Sequence, residues 1–166
     1  MISVLGAELA TSPLSKPIAK YYGKGVSMKQ TDEVIRDLEK CQARYKKFDS
    51  LFREFQRSIE HLQLNDFPLK GISLEHESGS QTKLSFLGRQ YKFDFSMCYV
   101  DGDLKGKVVF ERIHEDEESQ RLASATYDGN GDLDLDPPEG EDVLCLRDEN
   151  SCISLALNWL RLDYVP

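Results

Sequence analysis

The stretch Leu84–Phe110, LSFLGRQYKFDFSMCYVDGDLKGKVVF, decides how this chain folds. Its apolar residues recur at every second position: Leu84 and Phe86, then Tyr91, Phe93 and Phe95, then Val108 and Phe110. A period of two puts alternate side chains on one face of a strand. Two glycine-bearing dipeptides punctuate the run. Gly88-Arg89, read as a two-residue hairpin loop, sets Phe86 opposite Tyr91 and Leu84 opposite Phe93. Asp101-Gly102, among the strongest short hairpin signals, sets Tyr99 opposite Leu104, Phe95 opposite Val108 and Phe93 opposite Phe110. Both turns put the same apolar set on one face. That agreement specifies an antiparallel meander better than either turn alone. Ile72, Leu74 and His76 extend the alternation upstream to a turn at Ser78-Gly79-Ser80.

Further upstream the period becomes helical. From Thr31 to about Leu64, apolar residues recur as Val34, Leu38, Cys41, Tyr45, Phe48, Phe52, Phe55, Ile59 and Leu62, at alternating spacings of four and three. This is a heptad seam. Thr31 is the expected N-cap, with Asp32 and Glu33 in the first turn, where carboxylates complement the helix dipole. Asn65-Asp66-Phe67-Pro68 ends it. Aromatics as bulky as Tyr45, Phe48, Phe52 and Phe55 suit a broad sheet face better than a narrow two-helix seam. Packing on the chain's own sheet is therefore expected. The alternative is self-association of two helices through Leu38, Tyr45, Phe48, Phe52, Phe55 and Ile59, giving a homodimer.

Downstream, residues 121–127 and 132–136 flank Gly129-Asn130-Gly131 as a weaker hairpin, and a short strand fits 143–147. Ser151 then caps a last helix that is apolar nearly all round and so buried. The fold expected is α+β: a long amphipathic helix packed on an antiparallel β-meander of four to six strands, plus a buried C-terminal helix. Residues 1–27, with Pro13 and Pro17 and no sustained period, read as an irregular arm before a single domain over 28–166. Met28 stands as a possible alternative start.

A chain of 166 residues can bury one ordinary core without staples. Cys41, Cys98, Cys145 and Cys152 show no metal-binding spacing. They read as free thiols in a reducing, cytoplasmic setting, with Cys41 and Cys98 as small core residues; spacing alone also permits a Cys145–Cys152 bridge. No segment approaches the ~20 apolar residues of a membrane span, and Met1–Ala10 lacks the basic start of a secretory signal.

Charge is polarised along the chain. Residues 114–166 carry 3 basic against 14 acidic side chains, whereas residues 1–64 carry 11 against 8. Such an end repels nucleic acid and attracts basic surfaces. Arg36, Lys40, Arg44, Lys46, Lys47, Arg53 and Arg57 on the long helix are interleaved with acids, so a solvated face laced by i,i+4 pairs is expected there and not a nucleic-acid site. The docking face expected for a basic partner protein comprises Glu115, Asp116, Glu117 and Glu118 together with Asp132, Asp134, Asp136, Glu139, Glu141 and Asp142. Leu133 and Leu135 would point inward and the aspartates outward.

Asp128, Asn130, Asp132 and Glu139 fit part of a calcium-loop pattern. That pattern demands Gly at its sixth position, where Leu133 stands, so a hairpin is the better reading. No cofactor and no metal are expected. His61, His76 and His114 fall on three different elements, with His76 at the edge of the core. No nucleophile elbow, phosphate loop or dinucleotide motif is present. The function expected is a non-enzymatic interaction protein of inhibitor, immunity or adaptor type, docking through its acidic third. The alternatives are a small-molecule binder or enzyme with an aromatic-lined pocket between helix and sheet, and a dimeric scaffold.

Overall fold

The computed structural model describes residues 30–115, 118–137, 140 and 142–165. The arm assigned to residues 1–27, the start at Met28, and Asp116, Glu117, Glu139 and Glu141 lie outside the described residues.

Helix α1 (Thr31–Ile59) runs into a 3₁₀ turn at Glu60–Gln63. It starts one residue earlier than expected. Gln30, not Thr31, is the N-cap, and its carbonyl accepts from Glu33 N and Val34 N at 3.0 and 3.1 Å. The meander follows as β1 (Ser73–Ser78), β2 (Gln81–Phe86), β3 (Arg89–Val100), β4 (Asp103–Ile113) and β5 (Gln120–Tyr127), antiparallel in sequence order. The chain ends in α2 (Glu149–Arg161).

The Asp101-Gly102 turn forms as read, with Tyr99 paired to Leu104, Phe95 to Val108 and Phe93 to Phe110. The first turn differs. Its loop is Leu87-Gly88, so Phe86 pairs with Arg89 and Leu84 with Tyr91. Both residues have positive φ, 47° and 79°. Glycine thus sits second, as in Asp101-Gly102, and Arg89 enters β3. Because the loop slides by one residue, the opposite partner of each position changes by two. The apolar face is unchanged.

Both helices cover that face. Phe55 meets Phe93 edge-on at 5.2 Å, Phe52 stacks on Phe95 at 5.6 Å, and Trp159 of α2 stacks on Phe93 at 6.2 Å. Such pairs contribute about 1 kcal/mol each beyond area burial. The space between helix and sheet is filled by these rings, and Phe52, Phe55, Phe93 and Phe110 are fully buried.

Of the residues named for a helical seam, Phe48, Phe52, Phe55 and Ile59 are buried in this core, while Leu38 and Tyr45 stay exposed. The N-terminal half of α1 overhangs the sheet.

The end of α2 is fastened to the meander by Asp163. Its carboxylate accepts from Arg89 Nη1 at 2.9 Å, Tyr91 Oη at 2.7 Å and Arg112 Nη1 at 3.2 Å. Burial pushes the Tyr91 phenol up, with Tyr164 and Asp163 beside it adding to the effect, so it remains a donor. Tyr164 Oη donates to the Phe86 carbonyl at 2.8 Å, beneath the Arg89 guanidinium.

The thiols are free, including Cys145 and Cys152. Cys41 and Cys98, expected in the core, are partly exposed. Cys98 alternates onto the open sheet face opposite Lys105, and Cys41 lies on the overhang.

Candidate functional site

Acidic residues crowd the segment that follows β5. Tyr127 is fully buried, and its hydroxyl donates to the Phe48 carbonyl at 2.9 Å, pinning the end of β5 under α1. The chain then turns about Asp128. One carboxylate oxygen, Oδ1, accepts from the backbone N–H of Asn130, Gly131 and Asp132 at 2.7, 3.0 and 3.1 Å. This is an aspartate closing its own turn. Among the described residues no group of His, Cys, Asp and Glu is arranged to hold a metal.

Residues 132–136 do not form a regular strand. Two isolated bridges, Tyr127 to Leu133 and Asp132 to Cys145, extend the sheet past β5, and the strand expected at 143–147 is reduced to Cys145. Pro137, lacking an N–H, cannot extend the ladder. The alternation survives nevertheless. Leu133 is buried and Leu135 packs on the core, while Asp132, Asp134 and Asp136 face out. Leu144 and Leu146 anchor the return segment.

The acidic set divides by what its members touch. Asp134 accepts from Lys105 Nζ at 2.6 Å and Thr126 Oγ1 at 3.1 Å, and these donors hold its carboxyl below the ordinary value. Asp148, not Ser151, is the N-cap of α2. Its carboxylate accepts from Ser151 N at 2.7 Å, which lowers its pKa. Glu149 pairs with His61 at 2.6 Å. Asp132, Asp136 and Asp142 are exposed and carry no ion pair among the described residues.

Glu115 and Glu118 are also exposed, but they flank the far end of β5. Gln120 and Tyr127 stand about 23 Å apart along that strand. The single acidic face expected from sequence is therefore two separate patches.

Beside the second patch lies a groove of about 570 Å³, bounded by Gly140, Asp142, Val143, Leu144, Asp148, Asn150, Ser151 and Ser154. Its polar lining offers two carboxylates, an amide and two hydroxyls, and no cation. The positive end of α2 opposes a cation here, but the capping carboxylate of Asp148 offsets it. Sequence reasoning passed over Asp148, Asn150 and Ser154; the signal was the Asp148–Ser151 spacing, a cap and its third helical residue.

A hydroxyl–imidazole–carboxylate chain also escaped the sequence. His76 Nδ1 lies 2.9 Å from Thr82 Oγ1, and Nε2 lies 2.9 Å from Glu60 Oε1. Gln56 Nε2 donates to the same hydroxyl at 2.8 Å. The network assigns the Thr82 proton to Nδ1 and the Nε2 proton to Glu60. Its order matches a nucleophile, base and orienting acid. Thr82 is fully buried, however, and no substrate atom reaches its oxygen. The chain ties α1 to the first hairpin. His76 is the edge residue expected, partly exposed at the rim of the core.

No family model, curated protein or solved structure matches this chain. Among the described residues no helix is long and apolar enough to cross a membrane.

Proposed function

We propose that this protein is a non-enzymatic interaction module that docks a basic partner protein through the acidic loop and groove spanning Asp132 to Ser154. The observation that carries this reading is the groove itself. It has room for a lysine or arginine side chain, is lined by Asp142 and Asp148 with no basic side chain, and belongs to the segment that also carries Asp132 and Asp136, which like Asp142 make no ion pair among the described residues. Leu133, Leu144 and Leu146 anchor the two flanks of the loop in the core. The ring-filled helix–sheet interface and the sealed Thr82 hydroxyl favour binding over catalysis.

Charge complementarity of this kind steers association and is screened by salt. The test is capture from the native host by the tagged full chain, at low and high salt, in parallel with a triple Asp132→Asn, Asp136→Asn, Asp142→Asn variant. A dominant basic partner retained at low salt, released at high salt and lost by the variant is expected. Binding that ignores both the salt and the three changes would refute the reading.

A further inference from the structure

The β1–β2 hairpin is held on α1 by polar groups whose donors and acceptors can be counted. Gln56 and Thr82 are both buried. The Ser78 and Gln81 carbonyls stand 3.3 and 3.4 Å from one end of the Gln56 amide and can only accept, so that end is the nitrogen. The same nitrogen donates to Thr82 Oγ1 at 2.8 Å. The hydroxyl then gives its own proton to His76 Nδ1 at 2.9 Å, and His76 Nε2 donates to Glu60 Oε1 at 2.9 Å. All donors in this relay run one way, from Gln56 towards Glu60. That direction requires an imidazole with one ring nitrogen free of a proton.

A second proton on the ring reverses the relay. Nδ1 becomes a donor to Thr82 Oγ1, and the hydroxyl proton, sealed from water, needs a new acceptor. The Gln56 amide oxygen accepts no hydrogen bond among the described residues, and a half-turn of the amide presents it to Thr82. The nitrogen then leaves the Ser78 and Gln81 carbonyls. Without that half-turn the hydroxyl is a buried donor with no partner. Either way α1 loses polar hold on the hairpin. Glu60 acts the other way, because a charged imidazole pairs with its carboxylate. Its side chain is 49% exposed, however, and an exposed pair contributes less than a buried hydrogen bond costs to lose. No other charged group reaches the ring among the described residues. Arg53, beside Gly79 in the β1–β2 turn, is held by Asp49, and His61 is paired with Glu149. Glu75, Glu77 and Lys83 lie on the opposite face of the sheet, where Lys83 pairs with Glu77.

We infer that the β1–β2 hairpin is latched to α1 by neutral His76 and released when that ring takes a second proton. An imidazole changes charge between about pH 8 and pH 5, so the latch responds to mild acidification. β1 is the outermost strand on its side of the sheet, and the hairpin can therefore loosen while β3, β4 and β5 stay paired. The inference does not depend on the acidic groove, because no residue is shared between the two.

Backbone hydrogen exchange of the full chain at about pH 7.5 and about pH 5, each corrected for the intrinsic rate, tests it. Opening of β1 and β2 should rise about tenfold at the lower pH relative to β3 and β4, as expected for the loss of one buried hydrogen bond. His76→Gln can still accept from Thr82 and donate to Glu60 but cannot charge, and Thr82→Val removes the hydroxyl that must be reversed. Both variants should lose the pH dependence. Should Thr82→Val fail to fold, the ring nitrogen chemical shifts of wild-type His76 at about pH 7.5 replace it. They should report the proton on Nε2, and a proton on Nδ1 alone overturns the inference. Exchange in β1 and β2 that rises no more than in β3 and β4 also overturns it, as does a rise that survives His76→Gln.

Discussion

Gly106→Ala tests how the acidic loop is held. Gly106 pairs with Tyr127 across β4 and β5. A β-carbon at Gly106 would stand 2.2 Å from Cζ, 2.5 Å from Cε2 and 2.7 Å from Cε1 of the Tyr127 ring. No small shift relieves contacts with three atoms of one rigid ring, so the ring must leave its site. Overpacking of this kind costs roughly 1–3 kcal/mol. Displacement also breaks the Tyr127 bond to the Phe48 carbonyl, about 1 kcal/mol, and the edge-on contact with Phe48, about 0.5–1 kcal/mol. The sum is about 3 kcal/mol. In urea this should appear as a fall of about 1.5 M in the midpoint with little change in slope. Two controls assign the cause. Tyr127→Phe should cost only the hydroxyl's share, about 1 kcal/mol. In a Tyr127→Ala background, where the clash is absent, Gly106→Ala should cost well under its wild-type amount. An equal cost in both backgrounds would refute the steric account. Because Asp128 follows Tyr127 directly, Gly106→Ala should also weaken partner capture while leaving every carboxylate in place.

Two further substitutions probe the frame. Burial acts to raise the Asp163 carboxyl, but hydrogen bonds from Tyr91 and Arg89 and the charges of Arg112 and Arg89 outweigh it and hold the pKa below the ordinary value. A depressed folded pKa contributes stability above the unfolded value, near 3.9, that is lost as pH falls through the folded one. Asp163→Ala should therefore cost about 2 kcal/mol at neutral pH, with wild type and variant converging as pH falls through the depressed folded value; a gap that stays constant between urea melts at neutral and at acid pH would contradict it. Leu87 occupies the left-handed region, φ 47°, with its side chain 69% exposed. Leu87→Asn should recover part of the roughly 1 kcal/mol that region costs an L-residue and raise the melting temperature by about 2 °C. A fall in melting temperature would mean that the turn is built differently.

Much of the scaffold was legible in the sequence for local reasons. Period-two alternation needs only neighbouring residues to declare a face, and Asp101-Gly102 supplies positive φ at both turn positions, 51° and 85°. The seam from Phe48 to Leu62 declared which side of α1 meets the sheet. Leu133 and Leu135 alternating with three aspartates likewise announced the loop's inner and outer sides, although no regular strand forms there.

What stayed hidden depends on residues far apart in the chain. The first hairpin loop sits at Leu87-Gly88, an arrangement that leaves Arg89 free to reach Asp163, 74 positions away. Periodicity says nothing about how long the covering surface is. Hence Val34 and Leu38 read like Phe52 and Phe55, yet they stay exposed, and the Tyr45 ring reaches Phe95 only from the rim. Composition counted the acidic residues, but only distances showed that Lys105 engages Asp134, that Asp128 and Asp148 serve the backbone, and that β5 holds Glu115 and Glu118 apart from Asp132 and Asp136. A sequence carries charge and period, which are properties of single residues and their near neighbours. Which of those charges stays free for a partner is a property of pairs, and the tertiary structure alone decides the pairs.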